Sequence, residues 1–148
     1  MRIVIQRVKD ASVKINAEIV GEIQQGLLVF LGIEQVDLED DADYLIQKLI
    51  HLRIFSDEEG KMNLSITDIS GELLIVSQFT LFASTKKGNR PSFIRSAPAE
   101  QAIPLYDYFI DQLKKLFQGK VENGVFGANM QVELINDGPV TIILDSKD

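Results

Sequence analysis

The sequence contains no cysteine and a single histidine, His51. The absence of cysteine excludes disulfides, thiolate nucleophiles and cysteine-ligated zinc, and one histidine is too few for a histidine-rich zinc site. A Ser-His-Asp triad would have to use His51, yet no Gly-x-Ser-x-Gly segment is present to carry its serine. His51 falls within a predicted amphipathic helix, which favours a structural or surface role over that of a catalytic base. Phosphate-binding glycine loops are also absent, so we expect neither a metal nor a cofactor.

Long apolar runs are missing as well. The longest apolar stretches, such as Leu27–Ile33, are too short to span a bilayer. The N-terminal residues alternate directly after Arg2 and lack the charged start, apolar centre and small-residue cleavage site of a secretory signal. The 148 residues, 45% hydrophobic and 25% charged, are typical of one folded domain covering residues 1–148. We therefore expect a cytoplasmic protein.

Positive charge is scarce, and the net charge of −7 argues against nucleic acid as a partner. The acidic residues are unevenly placed, however, and none lies between Gln78 and Ala99. A phosphate backbone could bind in this window, although a solvated basic loop is the favoured interpretation. Its basic residues are Lys86, Lys87, Arg90 and Arg95.

Strand patterns dominate the sequence. Arg2–Val8 alternates, and Leu27–Ile33 is a continuous apolar run that fits a strand covered on both faces. Asn16–Ala17 is predicted to be a turn between two short strands. The other predicted strands are Ser12–Ile15, Glu18–Ile23, Arg53–Phe55, Glu72–Phe82, and a final hairpin of Met130–Ile135 and Val140–Leu144 that turns at residues 136–139.

Two segments change to helical periodicity. The first helix is predicted over residues 39–52, where acidic residues precede one apolar stripe and suit the positive end of the helix dipole. The second is predicted to end near Phe117, with Pro98 at its first position and Ser96 as a possible cap. Pro104 should remove one hydrogen bond from that helix or kink it. Strands in runs, with two helices, predict an α+β fold with a mainly antiparallel sheet or open β-barrel.

Two local features exceed what such a domain requires. In Ser77–Phe82, polar side chains end an otherwise apolar strand, and such hydroxyls, amides and rings can hold a ribose, a carbonyl or a base. Gly138–Pro139 could project bare carbonyl oxygens, because glycine allows close approach and proline fixes the direction of the preceding carbonyl. Each feature alone is also explained by an ordinary strand edge or an ordinary turn.

Several motifs in order resemble the D-aminoacyl-tRNA deacylase family, and the resemblance runs essentially from end to end. The signature pair is Ser-Gln-Phe-Thr at Ser77–Thr80 and Gly-Pro at Gly138–Pro139. Supporting matches are Gln6-Arg7, Gly26–Gly32, Leu52–Phe55, Gly60–Leu64, Lys87-Gly88, Arg90–Phe93, Phe126–Ala128 and Asn136–Thr141. The resemblance implies an ester hydrolase in translation quality control that releases a D-amino acid from tRNA.

The resemblance also implies a homodimer with two shared sites at its interface. A cis Gly138–Pro139 peptide of one subunit would enter the pocket of the other, facing Ser77, Gln78, Phe79 and Thr80, with Arg7 holding it. Its carbonyls would exclude an L side chain, which is chiral proofreading by rejection, and glycyl-tRNA would also be hydrolysed. Phe79, Phe126 and Met130 match positions that line the pocket for the terminal adenosine. We infer from charge that Lys86, Lys87 and Arg90 guide the acceptor stem.

The catalytic step has two candidate forms. Thr80 could be a nucleophile that forms an acyl-enzyme, but no histidine or lysine in the matching motifs is placed to activate it. The ribose 2′-hydroxyl of the tRNA could instead assist a water, with backbone amides near Phe79 and Thr80 stabilising the oxyanion; this form is favoured. A binding module for a nucleotide or RNA end, and a purely structural dimer, are the rival functions.

Overall fold

A computed structural model describes residues 1–148, and its first strand, β1 (Arg2–Ile15), organises the sheet. Buried and more exposed residues alternate along β1, as its sequence predicts. The strand continues through residues 9–11, so the two separate strands predicted here are one. It turns at Asn16 and Ala17, whose φ angles of 50° and 66° are typical of a tight hairpin turn.

The remaining elements follow β1 in a mixed order. They are β2 (Glu18–Ile23), β3 (Gly26–Gly32), α1 (Glu39–His51), β4 (Phe55–Ser56), β5 (Met62–Leu64), β6 (Glu72–Ser77), a 3₁₀ turn (Phe79–Phe82), α2 (Ala99–Leu116), β7 (Val121–Asn123) and β8 (Gln131–Asp145). No helix among them is long and apolar enough to cross a membrane.

The main sheet has six strands in the order β2-β1-β3-β6-β7, with β8 paired to the other edge of β1. Strand β1 is antiparallel to β2, β3 and β8, whereas β6 is parallel to both β3 and β7. β3 is covered on both faces, as its continuous apolar run predicts. The predicted α+β class with a barrel-like sheet and two helices is confirmed, and both parallel pairs of the sheet involve β6.

The sheet has an apolar core on each face. One cluster of 24 buried residues joins the sheet to both helices. A second cluster of 7 buried residues lies on the opposite face, under the first half of β8. Alternation along β3 and β6 explains the division, because Leu27 and Leu73 enter the first cluster and Leu28 and Leu74 the second.

Both helices lie where the periodicity predicts them; α1 begins at Glu39 as predicted, and only the start of α2 differs. Helix α2 begins at Ala99, so Pro98 is its N-cap rather than its first helical residue. The predicted cap by Ser96 is wrong, because the Ser96 hydroxyl donates instead to the carbonyl oxygen of Phe79 at 2.8 Å. Helix α2 continues through Pro104 without interruption.

Three predicted strands need correction. The predicted strand Glu72–Phe82 ends at Ser77, because β3 offers no partner beyond Leu31, and the chain then enters the 3₁₀ turn. The strand predicted at Arg53–Phe55 is β4, displaced to Phe55–Ser56 and paired with β5. The predicted C-terminal hairpin is wrong, since both of its halves belong to β8 and pair with β1.

The residues predicted to turn that hairpin form a bulge in β8 instead. Gln6 pairs with Thr141 and Val8 pairs with Asn136, so residues 137–140 stand opposite Arg7 alone. A β-bulge of this kind projects the extra residues from the ladder. Gly138 and Pro139 are exposed at the tip.

Candidate active site

A cavity of about 290 Å³ opens where β6 ends. It brings together five of the residues that the sequence marks as site candidates, namely Ser77, Gln78, Phe79, Phe126 and Met130. The rest of its lining is Leu31, Ile33, Val76, Ala97, Ala102, Gly127, Ala128, Asn129 and Val132. A mostly apolar concave site with a few polar groups at one end is typical of a pocket for a small ligand or a ligand's end group.

The polar end of the cavity results from the way β6 stops. The Gln78 N–H donates to the Leu31 carbonyl at 2.8 Å, which is the last bond between β6 and β3. The chain then winds into the 3₁₀ turn, where Thr80 is exposed. The Gln78 Nε2 donates to Thr80 Oγ1 at 2.6 Å, so the two side chains lie at one position on the cavity's edge.

No ionisable side chain lines the cavity. The amide of Gln78, which contacts the Thr80 hydroxyl, cannot accept a proton from it at neutral pH. His51 lies on the last turn of α1, where its Nδ1 contacts the Gln47 carbonyl at 2.8 Å, and it does not approach the cavity. The cavity therefore offers hydroxyl, amide and backbone groups, but no general base of its own.

Two residues that the sequence analysis did not assign to the site hold the 3₁₀ turn. Ser96 Oγ donates to the Phe79 carbonyl, and Arg2 Nη1 donates to the Leu81 carbonyl at 3.0 Å. The guanidinium groups of Arg2 and Arg95 also lie over the Phe82 ring, 5.0 and 5.4 Å from its centroid. The sequence around Ser96, Arg2 and Arg95 does not predict these contacts, because each partner lies more than ten residues away along the chain.

Aromatic rings flank the cavity. The Phe79 side chain is 57% exposed and meets Phe93 edge-on, with ring centroids 5.0 Å apart. Phe126 packs against Tyr106 at 5.6 Å. Burial, together with the charge of Asp107, raises the pKa of Tyr106 to about 12, so its phenol stays neutral and supports Phe126 as an uncharged partner.

Gly138 and Pro139 do not line the cavity of their own chain. They are joined by a cis peptide bond, and Gly138 has a φ of 128°. The Arg7 guanidinium contacts the bulge through its Nε, which donates to the Asp137 carbonyl at 3.1 Å. Its Nη1 donates to the Ile54 carbonyl, outside the bulge, at 2.6 Å. Arg7 therefore contacts the bulge, while the bulge and the cavity lie at separate places on one chain.

The basic window forms an exposed loop beside the 3₁₀ turn. Lys86, Lys87 and Arg90 are exposed there, and none of them takes part in a salt bridge. Arg95 differs, because it pairs with Glu34 at 2.5 Å and its charge is neutralised. Three positive charges without a salt-bridge partner therefore lie on the loop that follows the 3₁₀ turn, in an otherwise acidic protein.

Comparisons with known proteins agree on one family. The sequence model described as "D-Tyr-tRNA(Tyr) deacylase" matches residues 4–145. The D-aminoacyl-tRNA deacylase of Azobacteroides pseudotrichonymphae is 57% identical over 148 residues, covering 100% of this chain and 99% of the relative. The enzyme of that name from Cytophaga hutchinsonii is 61% identical over 145 residues, covering 98% and 97%.

Solved structures agree on the fold. A protein described as "c-Myc DNA Unwinding Element Binding Protein" superimposes with a TM-score of 0.93 at 43% identity, covering 98% of both chains. A probable eukaryotic D-amino acid tRNA deacylase superimposes with a TM-score of 0.82 at 18% identity, over 97% of this chain and 98% of the other. The second likeness supports the architecture alone.

Proposed function

We propose, from the premise that this chain belongs to the D-Tyr-tRNA(Tyr) deacylase family, that its cavity binds the 3′ end of tRNA and its bulge rejects L-aminoacyl groups. The chain is a D-aminoacyl-tRNA deacylase, an ester hydrolase. The observation that carries the proposal is the single cavity that collects Ser77, Gln78 and Phe79 while containing no acid or base. Because aminoacyl-tRNA is made and used in the cytoplasm, we also propose that the enzyme acts there.

The terminal adenosine occupies the apolar part of the cavity in this proposal. Phe79, Phe126 and Met130 supply aromatic and thioether surface on which a base can stack, whatever the amino acid attached to the ribose. Lys86, Lys87 and Arg90 are exposed on the loop that follows the 3₁₀ turn, and in this proposal they attract phosphates of the acceptor stem.

The tRNA itself supplies the missing catalytic group. A water attacks the ester carbonyl carbon, the bond to the ribose oxygen breaks, and the free D-amino acid and tRNA leave. The neighbouring ribose 2′-hydroxyl assists that water. The first N–H groups of a helical turn have no partner within it, so the amides of Phe79 and Thr80 are suited to stabilise the oxyanion.

Replacing Thr80 with alanine separates this route from an acyl-enzyme. We expect Thr80→Ala to hydrolyse D-tyrosyl-tRNA within about tenfold of the native rate, because only a hydrogen bond with Gln78 is lost. The control substrate is D-tyrosyl-tRNA that ends in 2′-deoxyadenosine. It lacks the assisting 2′-hydroxyl and should therefore react far more slowly with the native enzyme. Loss of all turnover in Thr80→Ala, together with a trapped acyl-enzyme on the native protein, would restore the nucleophile.

Chiral rejection requires the bulge to meet the ester. Gly138 and Pro139 are exposed and lie outside their own chain's cavity, which supports a homodimer in which each bulge enters the partner's pocket beside Ser77–Thr80. Backbone carbonyls at the bulge then occupy the space that an L side chain would need. Glycine carries no such side chain, so glycyl-tRNA is also a substrate in this proposal.

Parallel assays with D-tyrosyl-tRNA and L-tyrosyl-tRNA test the function directly. We expect rapid hydrolysis of the D-ester and survival of the L-ester at its spontaneous rate. A binding module or a purely structural dimer would leave both esters at their spontaneous rates, and that result would contradict the proposed function.

A further inference from the structure

Asn136 stands at the point where β8 leaves the β1 ladder. Its side chain is half-buried, and its Nδ2 donates to two backbone carbonyl oxygens, those of Arg7 and Val140, each at 3.0 Å. One acceptor lies on β1 opposite the bulge. The other lies where β8 resumes its regular path, so one amide spans the opening of the bulge.

This amide replaces a missing part of the ladder. No β8 residue pairs with Arg7, because Gln6 pairs with Thr141 and Val8 pairs with Asn136. The Arg7 carbonyl points toward β8, and the first Asn136 amide proton satisfies it. The second amide proton ties residue 136 to residue 140 and closes the base of the loop.

The guanidinium of Arg7 holds a different part of the same bulge. It contacts the Asp137 carbonyl, and its Nη2 would be 3.0 Å from a Cβ added at Gly138, so it lies directly against the tip. Arg7 therefore restrains the tip through its side chain, whereas Asn136 restrains the base through the backbone of that same Arg7. Both contacts must persist for the tip carbonyls to keep one direction.

We propose that Asn136 is a specificity-determining positioning residue, whose amide fixes the base of the Gly138–Pro139 bulge so that its carbonyls exclude L-aminoacyl groups. This inference rests on the proposed role of the bulge in chiral rejection. It assigns no contact between Asn136 and the substrate. Release of the base lets the bulge yield to an L side chain, while the cavity and the 3₁₀ turn remain unchanged.

Asn136→Asp is the sharpest variant, because aspartate matches asparagine in shape but has no proton to donate when ionised. It also brings negative charge against the Arg7 and Val140 carbonyl oxygens. We expect hydrolysis of D-tyrosyl-tRNA to stay within about threefold of native, and hydrolysis of L-tyrosyl-tRNA to rise about tenfold, as the loss of two hydrogen bonds allows. The measured quantity is the ratio of kcat/KM for the two esters.

Glu133→Gln is the matched control. Glu133 pairs with Lys14 at 2.9 Å and thus joins the same two strands away from the bulge. This variant should keep the native ratio. An unchanged ratio in Asn136→Asp overturns the inference, even if its Tm falls, and so does an equal change in Glu133→Gln. If the native enzyme does not hydrolyse the D-ester, the proposed function itself is wrong. That result is distinguishable from an unchanged ratio in Asn136→Asp.

The native protein offers a measurement that does not depend on the variant's folding. The two side-chain amide protons of Asn136 should exchange with solvent at least about tenfold more slowly than those of the exposed Asn129 in nuclear magnetic resonance spectra. Equal exchange rates for Asn136 and Asn129 would overturn the inference, because the amide would then not be bound.

Discussion

At the scale of single residues, distant side chains hold the main chain of the candidate site in place. Ser96 contacts the Phe79 carbonyl, Arg2 contacts the Leu81 carbonyl, and Asn136 contacts the Arg7 carbonyl. Each bond links parts of the chain that are far apart in sequence. The chemistry proposed for this enzyme uses backbone groups, so the residues that hold the backbone are as important as those that line the cavity.

Ser96→Ala tests this dependence at the 3₁₀ turn. We expect kcat for D-tyrosyl-tRNA to fall roughly fivefold and the free energy of unfolding to fall by about 1 kcal/mol, since one hydrogen bond to the Phe79 carbonyl is lost. Steady-state kinetics and urea unfolding measure the two effects. Ser92→Ala is the control, because Ser92 bridges to Ser84 through its backbone; equal effects in both variants would contradict the role of Ser96.

At the scale of elements, β3 and β6 pack so closely at their first residue pair that no side chain fits between them. Gly26 pairs with Glu72 at the start of the parallel ladder. A Cβ added at Gly26 would lie 1.8 Å from the Glu72 carbonyl oxygen, which is backbone and cannot rotate away. The close approach of these two strands thus depends on glycine at position 26.

Gly26→Ala should lower the free energy of unfolding by at least about 3 kcal/mol, because the two strands must separate to admit the methyl group. Gly21→Ala on the neighbouring β2 is the matched control. Its added Cβ would come no closer than 3.3 Å to any atom, so a loss of about 1 kcal/mol or less is expected. Similar urea midpoints for the two variants would refute the steric account.

The carboxylate of Asp41 lies in the first turn of α1, and several partners stabilise its ionised form. Burial alone would raise the pKa of Asp41, but hydrogen bonds from Lys147, the Leu38 N–H and Ser146, with the charge of Lys147, lower that pKa to about 2. A pKa lowered by folding contributes stability above the ordinary value of 3.8 and loses it as pH falls toward 2.

Asp41→Asn should therefore lower the free energy of unfolding by about 1 to 2 kcal/mol at pH 7. The difference from native should shrink below about pH 4 and vanish near pH 2, which urea unfolding across that range measures. Asp40→Asn is the control in the same turn: Asp40 is exposed, and it should change stability by only a few tenths of a kcal/mol. A deficit in Asp41→Asn that is constant with pH would contradict the assignment.

Periodicity predicted the positions of elements whose pattern is local. The predictions failed where an element depends on pairing with a strand far away in the sequence. The buried run of β3 and the stripe of α1 are local properties, and both predictions were confirmed. The apolar residues after Ser77 continue a strand pattern, yet β3 has ended and no partner remains. The turn residues 136–139 predict a hairpin, but β1 is long enough to pair with both halves of β8.

The sequence predicted which residues belong to the candidate site better than it predicted their arrangement in space. Ser77, Gln78, Phe79 and Thr80 were expected together because they are consecutive; the cavity is lined by the first three, while Thr80 does not line it. The separation of the bulge from that cavity could not be inferred from local patterns, because it depends on the position of β8 on the far edge of β1. The contacts of Ser96 and Arg2 were missed because their partners lie 17 and 79 residues away along the chain.

At the scale of the whole molecule, β8 leaves one long edge of the sheet unpaired. β8 pairs with β1 on one side and with no strand on the other, and Ile135 and Ile143 are 52% and 65% exposed along it. Long, partly apolar edge strands are normally covered. A second copy of the chain that places its bulge in the facing cavity would cover this region and complete the site at once.

Mixing two variants tests whether the site is shared between subunits. Gly138→Ala is expected to hydrolyse L-tyrosyl-tRNA, because Gly138 has a φ of 128° and an added Cβ would lie 2.8 Å from Val140. Ala128→Trp is expected to be inactive because it fills the cavity. A mixed dimer would combine the intact cavity of the first chain with the intact bulge of the second.

After unfolding and refolding the two variants together at equal concentrations, hydrolysis of the L-ester per Gly138→Ala chain should fall to about half, as random pairing into dimers predicts. Hydrolysis of the D-ester should persist. An L-ester rate that is unaffected by the Ala128→Trp chain would show that bulge and cavity act within one subunit.

The pairing of Arg2 with Asp145 in the β1–β8 ladder also constrains how the protein is made. A ribosome releases β1 before β8, so a nascent chain holds one edge of its first strand open until β8 emerges. Helices and the inner strands can collapse earlier, but the bulge cannot form until β8 has emerged, because Arg7 and residues 136–140 meet only then. Chains released early by premature termination would therefore lack the bulge that we propose distinguishes D- from L-aminoacyl groups.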